Sequence, residues 1–218
     1  MDSLPEHLLP VPVGRERLPK EVMQEHQRAR VLDAAIEVFA KRGYQGTTVD
    51  HIVSAGKIGV GSFYALFGGK QECFLAAYRR IVAEGRLRIE EAIPADAAWP
   101  DRLLVGLRLL LETIEEQPLA ARVALVEVQT AGTDALAEHA RTLDEAASLL
   151  RAGREASPFG DELPATLEFA TVGGLSWFLQ QRIAAGQMDA SALLPEVLEI
   201  VVEPYLGEQA TAELTARI

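Results

Sequence analysis

The 218-residue chain has one cysteine, Cys73. A single thiol forbids an intramolecular disulfide and any cysteine-based zinc site. Aromatic side chains make up only 6%. No window approaches the ~18 uninterrupted apolar residues of a membrane span, so no membrane partner is expected. No convincing apolar–polar alternation marks a strand. The opening stretch, Met1–Val13, mixes acids with three prolines and lacks the basic and apolar regions of a signal peptide. The expected compartment is the cytoplasm. Basic charge is also short: 21 Lys and Arg stand against 32 Asp and Glu, a net charge of −11. Taken whole, that argues against a nucleic-acid binder, which should be basic. The sum hides an asymmetry. Residues 14–80 carry 11 basic and 7 acidic side chains, a net +4, whereas residues 93–218 carry 8 and 20, a net −12.

What is present is helical spacing. With 49% hydrophobic residues, the chain has material for one large domain or two small ones. Residues 1–19 are Pro-rich and aperiodic and read as a flexible arm; its Arg15 and Arg17, with Lys20, either touch an anion or belong to an inert tail. The first helix is predicted from about Glu21 to Arg42, with Val31, Leu32, Ala35, Ile36 and Phe39 on one stripe and Gly43 as its stop. Thr47-Thr48-Val49-Asp50 reads as a capping box, with Thr47 as cap and Asp50 reaching back. A short second helix follows to about Ala55, and a tight turn at Gly56-Lys57-Ile58. A third short helix spans about Gly59 to Leu66. A fourth starts at Lys70 after Gly68-Gly69 and reaches about Ala92. Two short helices across a short turn, with another packed behind, form a helix-turn-helix. Further helices are predicted at 101–116, 119–131, 133–154, 164–186 and 191–206. The fold class is therefore all-α with about nine helices. A helix-turn-helix domain over 20–69 precedes a helical domain over 70–218, joined through helix 70–92.

Phe39-Ala40-Lys41-Arg42-Gly43-Tyr44, Thr47-Thr48-Val49, Ile52, Gly61-Ser62-Phe63-Tyr64, Phe67 and Lys70 together resemble the N-terminal domain of the TetR family of transcriptional regulators, over about residues 25–80. Pro204-Tyr205-Leu206-Gly207 looks like the end of many members. The resemblance implies a homodimer on a palindromic double-stranded operator, usually a repressor, released by a small-molecule ligand in the C-terminal domain. It implies phosphate contacts at Thr48 and Lys70, backbone contacts at Ser62 and Tyr64, and a recognition helix over Gly59–Ala65. This chain departs from the family where Lys57-Ile58-Gly59-Val60-Gly61 stands in place of Gly-Val-Ser-Lys/Arg-Gly, and where Ala65 replaces a large polar residue. Val60 and Ala65 suit thymine methyls but make no bidentate bond to a base. Specificity is expected from Gln45, Lys57, methyl contacts and DNA shape.

Single residues carry two readings each. Lys70 is a phosphate ligand or a solvated lysine. Tyr64 faces DNA or fills the core. Cys73 is a buried filler or a redox sensor. Glu127 is a pocket wall or is paired with Arg122, Arg151 or Arg154. His7, His26, His51 and His139 lack metal-ligand spacing, so no metal and no cofactor is expected. Gly59-Val60-Gly61 lacks the third glycine of a dinucleotide loop, no Walker pattern is present, and Gly174-Leu175-Ser176 lacks the second glycine of a nucleophile elbow. The chain is not expected to be an enzyme. The alternative function is a small-molecule binding module that has lost DNA binding. The expected ligand pocket is lined by Leu107, Leu111, Val126, Gln129, Thr130, Thr171 and Trp177. Helices 164–186 and 191–206 are apolar nearly all round, which predicts a homodimer interface through Gly174, Phe178, Val197, Val201 and Tyr205.

Overall fold

The computed structural model describes residues 20–218, so the expected arm with Arg15 and Arg17 lies outside the described residues. Among those residues there is no strand. Ten helices and three shorter helical turns make the all-α architecture. The helices are α1 (Lys20–Gly46), α2 (Val49–Gly56), α3 (Val60–Tyr64), α4 (Lys70–Ala92), α5 (Trp99–Glu116), α6 (Pro118–Leu125), α7 (Thr133–Arg151), α8 (Leu167–Ala185), α9 (Ala190–Leu206) and α10 (Glu208–Thr215).

The N-terminal helices obey local rules. Regular α1 ends where the sequence places its stop: Gly43 takes φ 74°, ψ 160°, a conformation open to glycine and strained for other residues. The cap of α2 falls one residue later than expected. Thr47 is buried, and its hydroxyl donates to the Gly43 carbonyl at 2.7 Å. Thr48 is the cap instead, accepting from the His51 amide at 3.3 Å, while His51 Nδ1 accepts from the Thr48 amide at 3.2 Å. The box is therefore Thr48 and His51, not Thr47 and Asp50, because the Thr47 oxygen already serves the α1 break. At the α2–α3 turn the left-handed position is Lys57, with φ 50°.

Two buried clusters form. One packs Val31, Ala35 and Phe39 of α1 with Ile52, Phe63, Phe67, Phe74 and Tyr78, and it continues into Val123, Val128, Ala131 and Ala135 beyond α5. The second sets Leu104, Leu107, Leu111 and Ile114 of α5 against Val197, Leu198, Val201 and Tyr205 of α9. Their spacing along α5 is three, four, three: one stripe down the helix.

The elements depart from expectation in three places. The helix expected at 119–131 breaks at Val126, and Glu127–Thr130 continue as a 3-10 turn. The stretch after α7 is irregular, with a one-turn helix at Gly153–Ala156 and a 3-10 turn at Gly160–Glu162, so α8 starts only at Leu167. Beyond Gly207 (φ 79°) the chain forms α10, which the sequence reading omitted; it buries Thr211 and Leu214.

Candidate nucleic-acid interface

α3 is anchored from below. Phe63 and Phe67 are fully buried, with their rings 5.6 Å apart. That placement turns Val60 and Tyr64 outward, 47% and 55% exposed, with Gly61 and Ala65 beside them. A large apolar and an aromatic group thus stand open to solvent on a five-residue helix. Tyr64 therefore does not fill the core, one of its two expected readings. Gly59 caps α3 without a side chain, and Ser62 is half-buried. Lys57 and Thr48 are exposed. The Thr48 oxygen accepts from His51, which leaves its own hydrogen for an acceptor outside the protein.

Two residues expected at DNA have hydrogen-bond partners within the chain. Lys70 Nζ donates to the Tyr44 carbonyl at 2.9 Å and lies 4.2 Å from the centre of the Tyr44 ring. Lys70 is therefore not a free solvated lysine, although an ammonium has two further hydrogens for a phosphate. Gln45 Nε2 donates to the Thr130 carbonyl at 2.9 Å, so its amide nitrogen faces the 127–130 turn.

Sequence reasoning missed the residues that brace this head. Arg30 donates to the Gly56 carbonyl at 3.0 Å, and Arg28 lies 4.7 Å from the centre of the Phe67 ring, tying α1 to the α2–α3 unit. Glu127 is buried and accepts from the Tyr44 amide at 2.9 Å. Its other oxygen lies 3.3 Å from Arg122 Nε. Of the partners considered for Glu127, Arg122 is the one present. Arg154 instead clasps Glu168, whose carboxyl these hydrogen bonds hold below the usual carboxylate range. The Tyr44 amide lies 83 residues from Glu127, and no local pattern announces it. Cys73 is fully buried, and burial pushes its thiol up to about 12, which favours the filler reading.

Helix α4 carries the head's connection onward along α7. Arg79 pairs with Glu138 at 2.7 Å, Arg86 with Glu145 at 3.2 Å, and Gln71 bonds Asp134 at 3.1 Å. Between them the buried Tyr78 hydroxyl bonds His139 and Thr142, each at 3.1 Å. Burial pushes the His139 imidazole below its ordinary range. With the Tyr78 hydroxyl donating to Thr142, the tautomer that completes the chain is the one that donates from His139 Nδ1 to Tyr78.

The expected pocket residues do not converge. Leu107, Leu111 and Thr171 are buried and Val126 is half-buried. Gln129 and Thr130 are exposed, because the 3-10 turn directs Glu127 and Val128 inward. Trp177, 64% exposed, lies across α8 from the inward Thr171, Val172 and Leu179. The expected interface is corrected in part. Val197, Val201 and Tyr205 are buried inside the chain, covered by α5 and neighbouring elements, so they offer no surface to a partner. Gly174 is exposed and Phe178 half-buried, with the Arg182 guanidinium 5.2 Å from its ring centre.

An all-helical chain with an exposed, aromatic-anchored α3 across a tight turn from α2 has the form of a helix-turn-helix DNA-binding regulator. Residues 31–77 match the family model for bacterial regulatory proteins of the tetR family. The HTH-type transcriptional repressor SCO4008 of Streptomyces coelicolor is 27% identical over 174 residues, covering 76% of this chain and 87% of that protein. The fatty acid degradation regulator FadR of Bacillus halodurans superposes with a TM-score of 0.70 at 19% identity, covering 86% of this chain and 97% of that one. FadR of Bacillus subtilis, solved in complex with stearoyl-CoA, gives 0.66 at 18% identity, covering 83% and 99%. Residues 31–77 thus carry the DNA-binding domain of the tetR family, and the relatives and the fold support a TetR-like transcriptional regulator. Among the described residues no helix is long and apolar enough to cross a membrane.

Proposed function

We propose that the chain is a homodimeric repressor that binds a two-fold symmetric operator and leaves it when a small molecule binds the C-terminal helices. The observation that carries this reading is α3, held by buried Phe63 and Phe67 with Val60, Gly61, Tyr64 and Ala65 outward. Lys57, Thr48 and Lys70 flank it in sequence with the groups that suit phosphates; such contacts position a protein without reading sequence. The test is fluorescence anisotropy with duplex from the upstream region of the protein's own gene, across a salt series. Binding that weakens steeply with salt supports the reading, since phosphate contacts release counterions. Absence of binding supports the alternative, a ligand-binding module without DNA. Lys70→Ala is expected to weaken binding to all sequences alike and to reduce the salt slope by about one. An unchanged slope would remove Lys70 from the phosphates.

The homodimer rests on the outer face of α8. Phe169 and Trp177 are 70% and 64% exposed, and Gly173 and Gly174 between them have open space where a Cβ would stand. Ile200 of α9 is exposed as well. Large rings flanking small residues suit the close approach of an equivalent helix, and a two-fold axis makes the contact self-complementary. It would set two α3 helices about 34 Å apart, one DNA turn. Trp177→Glu is expected to halve the mass in solution and to weaken operator binding by removing bivalence. A wild-type chain that sediments as a monomer would sink the dimer.

Release is a population shift: a ligand that prefers mis-spaced heads draws the dimer off DNA. Helix α4 is the connecting lever, since its ion pairs run from the head to α7 and α5. The stearoyl-CoA in the Bacillus subtilis neighbour makes an acyl-CoA the first compound to test.

A further inference from the structure

We infer that α3 selects its operator by packing a closely applied, uncharged face against thymine C5-methyl groups, an inference that rests on the DNA-binding reading above. The outward residues of α3 and its C-cap are Val60, Gly61, Tyr64 and Ala65. None carries the amide or guanidinium that reads adenine or guanine with paired hydrogen bonds. The Ser62 and Tyr64 hydroxyls bond phosphates and several base edges alike, so they discriminate weakly. Gln45, the one amide in the expected contact set, has one of its two N–H groups on the Thr130 carbonyl, which turns it toward the 127–130 turn. What an exposed valine and alanine can distinguish in the major groove is a methyl group, which only thymine presents among the four bases.

The glycines supply the second observation. Gly59 has φ −73° and ψ 146°, ordinary extended backbone, and Gly61 lies in α3 without a positive φ. A Cβ at Gly61 would meet nothing within 4 Å, and one at Gly59 only Ser62 Oγ at 3.8 Å. Neither the backbone nor the packing of this chain requires glycine there. In a helix glycine is worse than alanine, so Gly61 weakens α3 with no return inside the protein. Its use is outside: a missing Cβ lets the α3 backbone approach another surface. Gly61 precedes Ala65 by one turn, so the close approach and the small apolar side chain share one face.

The experiment uses the full-length protein and operators selected from a random duplex library. Each half-site thymine is replaced in turn by deoxyuridine, which removes the methyl group alone. Burying one methyl is worth about a factor of four in affinity, so symmetric replacement in two half-sites is expected to cost about fifteenfold. Val60→Ala, at an exposed position, is expected to bring the thymine-to-deoxyuridine ratio at its position close to one. Gly61→Ala is expected to bind DNA at least tenfold more weakly while melting no lower than wild type. Equal affinity for thymine and deoxyuridine at every position, in a duplex that still binds, overturns the inference and leaves DNA binding intact. So does a loss of affinity found only when half-site guanines are replaced by 7-deazaguanine, which removes N7 and would assign reading to Lys57. If selection recovers no duplex at all, the DNA-binding reading fails, and the inference with it.

Discussion

Replacing Glu127 with alanine is expected to destabilise the protein by about 2–3 kcal/mol, roughly the worth of a buried hydrogen bond to a charged group. Glu127 sits at the joint where the head meets the body. Its carboxylate receives the Tyr44 amide at 2.9 Å, just past the α1 break, in a buried setting. Removal leaves a buried N–H without a partner, which costs more than the bond contributes. The Arg122 pair adds little. Arg122 is 38% exposed, and its Nε lies 3.3 Å from the carboxylate without forming a directed hydrogen bond. Glu127→Gln keeps an acceptor for Tyr44 and should therefore lose only about 1 kcal/mol. Urea denaturation at fixed protein concentration measures both. If the glutamine variant were as unstable as the alanine variant, the charge would matter and the acceptor would not.

The same variant separates orientation from contact. Tyr44 is held three ways: its amide by Glu127, its carbonyl by Lys70, and its ring against Phe39 and Phe74. Gln45 adds a bond to Thr130 from the next residue. Loosening this joint leaves the head's orientation less defined before binding, so Glu127→Ala is expected to lower DNA affinity. No phosphate contact is removed, so the salt slope should stay. Lys70→Ala should change the slope. Identical slopes in the two variants would mean that Lys70 serves only the joint.

What the sequence made legible follows the distance between partners. The head is written in short range: Gly43 breaks α1, threonines precede α2, and Phe63 and Phe67 lie four residues apart under α3. Even the misplaced cap at Thr47 is off by one residue, because two adjacent threonines offer the same oxygen and only the carbonyl of Gly43 decides between them. Long-range pairings are different. Nothing near Glu127 specifies Tyr44, and Arg154 was an equal candidate for Glu127 until the fold gave it Glu168. Helix α9 shows a third limit. A helix apolar nearly all round must be covered on most sides, but periodicity does not say by what. Val197, Val201 and Tyr205 are covered within the chain itself, chiefly by α5, leaving the outer face of α8 to carry the exposed rings. Trp177 moved from expected pocket to surface for the same reason.

Gly160→Ala is expected to destabilise by about 3 kcal/mol, at the upper end for overpacking, and to lower the melting midpoint by about 10 °C. The position looks permissive, since Gly160 has no positive φ. The obstacle is space: an added Cβ would overlap the backbone carbonyl of Arg154. A carbonyl cannot swing aside as a side chain does, so residues 154–160 must shift together. That segment is held from several directions. The Arg154 guanidinium donates to the carbonyls of Leu163 and Pro164 at 3.0 and 2.6 Å and to both oxygens of Glu168 at 2.6 and 3.2 Å. Glu168 in turn accepts from the Tyr205 hydroxyl at 3.2 Å, and Ser157 Oγ donates to the Tyr205 carbonyl at 2.5 Å. A shift at Gly160 therefore reaches the buried end of α9. Gly153→Ala acts at the same corner, where a Cβ would overlap the Trp99 ring, but Trp99 is a side chain and can turn. It should cost less than Gly160→Ala. Gly85→Ala is the control of opposite sign: in α4, with nothing within 4 Å of its Cβ, it should stabilise by up to about 1 kcal/mol. Melting at a single protein concentration compares the three, because a dimer's midpoint moves with concentration. A Gly160→Ala protein that melts with wild type would show that residues 154–160 relax freely and that the Arg154 clasp does not fix them.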